Sequence, residues 1–327
     1  LKRRLIVGSN NKDSDKFVGL AATILIPTHD HGPTLHYAIR SVLNQTVQDF
    51  ELFVIGDGVT PEARAIIQEY AAKDSRVRFF DHPKGPRHGE IYRHQALREA
   101  RGEIVCYLSD DDMWLPGHVA YMRELLGDAD FAHVLPLAIT VTGKVDLRSG
   151  TFDRAECQEA VRAGKNFVPL SAAGHTLAVY RRLPFGWRTT PEGINTDSYM
   201  WQQILNVPGR RSRSGLRPTL LNFPSPARKE WPAARRLGEL KEWENKMRDP
   251  NLEQALMGSA LDYLISHRVS RESHIAYLEI EDRELREIIH VMESDITWRT
   301  RKAILNLPVL GPVVKKVARA VFGRGSR

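Results

Sequence analysis

Four short apolar runs mark the first third of the chain: ATILIP (22–27), ELFVIG (51–56), RVRFF (76–80) and EIVCYL (103–108). Each is brief, rich in Ile, Val or Phe, and followed by turn formers, which is the pattern of buried strands. Between them Leu35, Ala38, Ile39, Val42 and Leu43 recur at helical spacing, as do Ile66, Ile67 and Tyr70. Alternating strands and helices predict an α/β domain with a parallel sheet and helices on both faces. Ligands of such sheets bind beyond the carboxyl ends of the strands. PTHD, GDG and SDDD all stand at those ends, so three polar clusters converge on one crevice.

After about residue 130 the pattern is mixed. FAHVL, LAITVT and HTLAVY read as strands, and TDSYMWQQIL (196–205) as a helix capped by Thr196 or Asp197. Pro, Arg and Ser dominate 208–236, which predicts a long basic loop. LGELKEWENKM, NLEQALMGSALDYLISHR and REIIHVMESDITWRTRKAI have helical patterns, and from Arg299 onward all charges are basic. The expected organisation is an N-terminal extension (1–21), the α/β domain (22–225), a helical region with its preceding basic loop (226–295) and a basic amphipathic tail (296–327). No internal repeat interrupts this order.

With 327 residues, 42% of them hydrophobic, the chain can bury a large core. Its net charge of +7 favours an anionic partner: a nucleotide phosphate, nucleic acid or an acidic membrane surface. Nucleic acid is the weakest of these, because the interleaved aromatic and basic face it needs is not visible outside 208–236. Cys106 and Cys157 are too few for a disulfide framework and lack metal-site spacing, which makes a reducing cytoplasm the expectation. The N-terminal LKRRLIVGSNNKDSDKF lacks a signal-peptide core, and no segment reaches the roughly 18 to 20 apolar residues that span a bilayer. In the tail, Val313, Val314, Val317, Val321 and Phe322 lie among lysines and arginines. One reading is a disordered basic end; the other is an interfacial anchor on anionic lipid headgroups, which would attach the protein peripherally at the inner face of a plasma membrane.

The acidic run Asp110, Asp111, Asp112 directly follows the apolar run that ends at Leu108. Three like charges there raise one another's pKa unless a positive charge sits between them. A solvated turn before a helix is one reading. The other is a divalent cation, Mg²⁺ or Mn²⁺, which prefers carboxylate oxygens together with substrate phosphates.

ATILIPTHDHGPTLHYAIRSVLNQTVQDFELFVIGDG, followed by YRHQALREARGEIVCYLSDDDMWLPGH, resembles the family 2 glycosyltransferases of GT-A fold. The shared features, in order, are a strand ending in Pro27-Thr28, the SVLNQT helix end, a strand end at Asp57, and an acidic motif before an aromatic residue and a proline. The resemblance covers 22–120 closely and 121–225 more loosely. Gly56, Ser109 and His94 depart from residues common in the family. The resemblance implies a mixed, mainly parallel sheet flanked by helices, a UDP-sugar donor and a glycan or glycolipid acceptor. Thr28 and Asp57 would cradle the uracil, Pro27 would belong to the same nucleotide-sugar site, and Asp110 would lie near the ribose. Asp111 would hold the metal, with the register open between Asp110-Asp111 and Asp110-x-Asp112. His175 would lie near the metal or acceptor. Arg93 is either a surface helix residue or a diphosphate contact, and Arg228 and Lys229 would close on the diphosphate.

Inverting transfer needs a base facing the acceptor hydroxyl. The resemblance places it at Asp197, with Glu192 in reserve, while a helix-capping role is the structural alternative. Trp231 either covers the acceptor sugar or anchors its loop. Two other functions compete: a nucleotidyltransferase, which would carry a Gly-rich basic loop that PTHDHGPT does not supply, and a GT-A module that binds nucleotide sugars without turnover.

Overall fold

The structure, a computed structural model, describes residues 19–147, 150–152, 154–165, 167–294, 303 and 306. The tail expected over 296–327 lies outside these apart from 303 and 306, as does nearly all of the N-terminal extension. The chain divides into two compact units, one up to Tyr263 and one from Leu264.

In the first unit, β1 (Ala22–Thr28), α1 (Leu35–Leu43), β2 (Phe50–Asp57), α2 (Pro61–Lys73), β3 (Val77–His82), α3 (Glu90–Leu97) and β4 (Ile104–Tyr107) follow the predicted alternation. β3, β2, β1 and β4 lie side by side and parallel. β1 is central because it feeds leftward to β2, while β4 returns on its other side. That reversal of strand order opens a crevice at the carboxyl ends. Ile24, Ile26, Leu52 and Val54 pack with α1 on one face, and Leu25, Phe53 and Ile55 with α3 on the other, so these strands are apolar on both sides.

The second half of the sheet is mixed. β5 (Met113–Trp114) and α4 (His118–Leu126) lead to β6 (Phe131–Ile139), a hairpin partner β7 (Val145–Leu147) and α5 (Ala155–Arg162). β8 (Ala173–Thr176) runs antiparallel between β4 and β6. With β9 (Ser212–Asn222), the full order is β3-β2-β1-β4-β8-β6-β9-β5, with β7 on β6. This mixed, mostly parallel sheet flanked by helices is a GT-A-like fold.

Three local expectations change. FAHVL and LAI form one strand, β6, because Pro136 sits where the pairing with β9 shifts register and a ladder N–H is not required. HTLAVY splits: the Thr176 hydroxyl accepts from the Val179 N–H (3.1 Å) and starts the short helix α6 (Leu177–Tyr180). The predicted basic loop contains an eleven-residue strand, β9 (Ser212–Asn222), parallel to β6 and antiparallel to β5. Its arginines point outward, while Thr219, Leu220 and Leu221 are buried. After α7 (Thr196–Leu205) and β9, helix α8 (Ala233–Lys246) packs Leu240 and Trp243 against Phe223 and Leu221, joined by Leu256 and Ala260 of α9 (Leu252–Ser294). No helix among the described residues is long and apolar enough to cross a membrane.

The acidic motif is anchored from α1. Gln45 donates to the carbonyls of Ser41 and Leu115 (both 2.9 Å) and accepts from the Val119 N–H (2.9 Å). The SVLNQT segment therefore ties the end of α1 to the turn that follows Asp110–Asp112. At the other end of β4, the Gly102 N–H donates to Thr23 (2.9 Å), whose hydroxyl donates to the buried Glu51 (2.8 Å).

His175 lies in the core, away from the crevice, which corrects its expected place near the metal. Its ring hydrogen-bonds the Tyr107 hydroxyl through Nε2 (2.7 Å) and the Thr176 carbonyl through Nδ1 (3.0 Å). Its register opposite Val105 in β4 turns the ring into the cluster of Tyr107, Trp187 and Trp201. Burial pushes its pKa down to about 4, from an ordinary 6.5.

Two stability predictions follow from this packing. A Cβ on Gly102 would stand 2.1 Å from the Thr23 nitrogen, so Gly102→Ala should destabilise the fold by about 3 kcal/mol, at the upper end of overpacking effects. An unchanged denaturant midpoint would contradict that close approach. The unfolded chain takes up a proton near pH 6.5 that folded His175 takes up only near pH 4, so this group's stabilisation is complete above 6.5 and is lost as pH falls through 4. Over that window wild type should lose on the order of 3 kcal/mol more than His175→Gln. Denaturation curves taken at several pH values check this, and parallel curves for the two proteins would refute it.

Candidate functional site

Beyond the carboxyl ends of β1, β2 and β4 lies a crevice of about 530 Å³. Pro27, Thr28, Asp57, Arg93, Asp110, Asp111, Asp112 and Asp197 all line it, although they come from segments up to 170 residues apart (197 minus 27). Parallel register brings the first of them together: Thr28 stands opposite Gly56, one residue before Asp57.

Asp57 forms the far wall. Its carboxylate accepts from Lys84 Nζ (2.7 Å) and the Gly85 N–H (2.6 Å). Gly89, at φ +60°, packs against it so closely that a Cβ would sit 2.5 Å from the Asp57 Cγ; only glycine suits this position on both counts. His29 of the β1 loop hydrogen-bonds the Asp57 carbonyl (2.6 Å). Arg93 is no surface residue. It projects from α3 over the Trp187 ring at 4.6 Å and is 6% exposed. Burial lowers its pKa, against the opposing charges of Asp197 and Glu90. It donates to the His88 carbonyl (3.3 Å), but Nε and Nη1 make no hydrogen bond among the described residues. The same holds for the buried Thr28 Oγ1. Buried donors of this kind are costly unless a ligand or water meets them.

The three aspartates have three different surroundings. Asp112 is structural: it accepts from the Phe223 N–H (2.8 Å), Asn222 (3.0 and 3.1 Å) and Ser171 (2.5 Å). Burial, with the Asp111 charge beside it, pushes its pKa up to about 7 despite these donors. Its carboxylate ties β4 to the end of β9, and it is absent from the cluster that could hold a metal. That cluster is His31, Asp110 and Asp111, whose ligand atoms lie within 4.8 Å of one another. The geometry therefore favours the Asp110-Asp111 register and adds His31, from the loop after β1, in place of His175. His31 Nδ1 meets Asp110 Oδ1 at 2.5 Å. Burial lowers the His31 pKa, but the bond to Asp110 and the charges of Asp110 and Asp111 outweigh it and raise it to about 9. Asp111 accepts from Arg236 of α8 (2.7 Å) and from the Ser225 hydroxyl, while burial and the Asp110 charge raise its pKa. Two adjacent buried carboxylates and an imidazole form a donor set that fits Mg²⁺ or Mn²⁺.

Asp197 faces these groups from the first turn of α7. The cap of that helix is Asn195, whose side chain accepts from the Ser198 N–H (3.0 Å), so neither Thr196 nor Asp197 fills that role. Asp197 Oδ2 accepts from the Leu170 N–H (3.1 Å). Glu90 of α3 holds the approach to α7 by accepting from the Thr190 N–H (3.2 Å) and the Thr196 hydroxyl (3.4 Å). Glu192 is not among the crevice-lining residues.

Arg228 and Lys229 do not reach the crevice. Arg228, 1% exposed, makes a forked ion pair with Glu239 (both 2.6 Å) and donates to the Ile139 carbonyl (2.9 Å); these bonds commit its guanidinium to pinning α8. Lys229 lines a neighbouring cavity of about 510 Å³ with Trp231, Arg236 and His31. His31 and Arg236 are the site residues that sequence reasoning missed. The available signal for His31 was its position directly after the strand-end cluster PTHD, whereas nothing local distinguishes Arg236 from the basic residues around it.

Comparison with known proteins follows the same lines. A Campylobacter jejuni protein named GalNAc(5)-diNAcBac-PP-undecaprenol beta-1,3-glucosyltransferase is 28% identical over 186 residues, 56% of this chain and 59% of that one. Poly(ribitol-phosphate) beta-N-acetylglucosaminyltransferase TarP of Staphylococcus aureus is 33% identical over 95 residues, 28% of each chain. Among solved structures, S. aureus TarS 1–349 in complex with UDP-GlcNAc superimposes at TM-score 0.48 with 11% identity, covering 75% of this chain and 71% of that one. The chain spans less than two thirds of the length of the curated relatives it matches. The sequence profile of glycosyl transferase family 2 matches residues 23–186, half of the chain, and the chain belongs to that family.

Proposed function

We propose that this protein transfers a sugar from a nucleotide diphosphate donor, with UDP as the nucleotide, to a hydroxyl of a glycan or lipid-linked acceptor, inverting the anomeric centre. The observation that carries this reading is the meeting, in one crevice, of unpaired buried donors, a buried carboxylate pair and the separate carboxylate Asp197. The relatives' names, which include a PP-undecaprenol acceptor and poly(ribitol-phosphate), support an acceptor of the bacterial envelope.

In this reading Thr28 and Asp57 bind the uracil. The Asp57 oxygens each keep a lone pair beyond the bonds to Lys84 and Gly85. Arg93 turns its free N–H groups to the donor. Asp110, Asp111 and His31 would hold a divalent cation, which supplies positive charge to diphosphate oxygens as the leaving group departs. Asp197 accepts the proton of the acceptor hydroxyl while that oxygen bonds to the anomeric carbon and the bond from that carbon to the diphosphate oxygen breaks. Trp231 would border the acceptor sugar from the neighbouring cavity, which His31 also lines.

Calorimetric titration with UDP, with and without Mn²⁺, is the decisive test. Metal-dependent binding is expected, and Asp111→Ala should abolish the metal dependence. No binding of UDP, GDP or dTDP under either condition would overturn the donor site. Asp197→Asn should lower transfer by about 10²- to 10⁴-fold with UDP affinity unchanged. Undiminished transfer would remove Asp197 as the base.

A further inference from the structure

Helix α9 carries a row of large apolar side chains that meets no other described residue closely enough to be covered. Leu264, Ile275, Leu278, Leu285 and Ile289 are 41 to 54% exposed. From Leu264 onward they fall on a heptad repeat. Leu264, Arg271, Leu278 and Leu285 take one seam position, and Arg268, Ile275, Asp282 and Ile289 take the other. An apolar seam of about 26 residues extends roughly 39 Å along a helix. Surfaces of this kind mark association sites.

The three charges in the seam select the occupant and its direction. If two copies of α9 ran parallel, each seam residue would face its own counterpart. Arg268 would meet Arg268, Arg271 would meet Arg271, and Asp282 would meet Asp282. Each layer would then hold two like charges. If the copies run antiparallel, positions of one kind face positions of the other. A single register, in which the numbers of facing residues sum to 553, then matches every seam position between 264 and 289. Leu264 faces Ile289, Ile275 faces Leu278, Arg271 faces Asp282, and Arg268 lays its aliphatic stem against Leu285. No like charges meet in the seam. Within each helix Arg268 pairs with Glu272 (2.8 Å) and Arg286 with Asp282 (2.7 Å), so Arg271 of the other copy would join Arg286 on the Asp282 carboxylate, whose two oxygens can accept from both.

We propose that this face is a self-association surface, and that two copies of the protein pair through antiparallel α9 helices with Arg271 of one opposite Asp282 of the other. The pairing is two-fold symmetric and isologous, which is the form that closes at a dimer.

Sedimentation equilibrium on the full chain should show a reversible dimer. Ile275→Lys combined with Leu278→Lys should reduce it to monomer with unchanged helical circular dichroism. Arg271→Asp or Asp282→Arg alone should weaken the dimer by about tenfold or more, and the double exchange should restore it. Orientation is read by disulfide trapping. The double variant Leu264→Cys, Ile289→Cys should form covalent dimers, and neither single variant should. A monomeric full chain at all concentrations would overturn the proposal, whether residues 295–327 or a lipid surface cover the face instead. A dimer that survives the double lysine variant, or trapping of the single cysteine variants, would overturn the surface or its direction.

Discussion

The burial of three consecutive carboxylates at the end of β4 is the constraint on which the site depends. In water such a run would be unremarkable, but here each aspartate is 6% exposed or less, so every charge must find compensation inside the protein. The chain answers in three ways. Asp112 is surrounded by hydrogen-bond donors from β9 and from Ser171. Asp110 takes the His31 imidazole, and Asp111 takes the Arg236 guanidinium with the Ser225 hydroxyl. The two carboxylates compensated by cationic side chains are the two that belong to the metal-capable cluster.

This accounts for the position of the segment after β9. Asn222, Phe223, Ser225 and Arg236 all act on the acidic run, and Arg228 fixes the segment by its fork to Glu239. A stretch whose composition suits a solvated loop is thereby held over the crevice by buried hydrogen bonds and ion pairs. Breaking one partner of a buried pair is far more costly than losing a surface pair, so this closure is specified by charge as well as by packing.

The opposite wall keeps unspent hydrogen-bonding capacity. Glu90 orders the approach to α7, Gly89 allows the Asp57 carboxylate to sit against the backbone, and Trp187 supports Arg93. Rigid supports around donor atoms that make no hydrogen bond among the described residues are what a preorganised binding site requires. In the proposed pairing of α9, the charged seam positions bring like charges together in one direction and opposite charges in the other.

The sequence by itself determined the strand and helix alternation, the parallel sheet, the crevice at the strand ends and most of its lining. These depend on local periodicity and on turn chemistry at Thr28, Asp57 and Asp110, which a linear reading can see. Only the tertiary structure decided which aspartate turns towards the cluster, because Asp112 differs from its neighbours in meeting Ser171 and the end of β9, the latter more than 100 residues away. It also put His175 in the core, since the period-two register of β8 sets which way that ring points. Arg228 and Arg236 have the same chemistry and lie eight residues apart, yet one braces α8 and the other neutralises Asp111. Their roles come from long-range charge pairing, which leaves no local pattern in the chain.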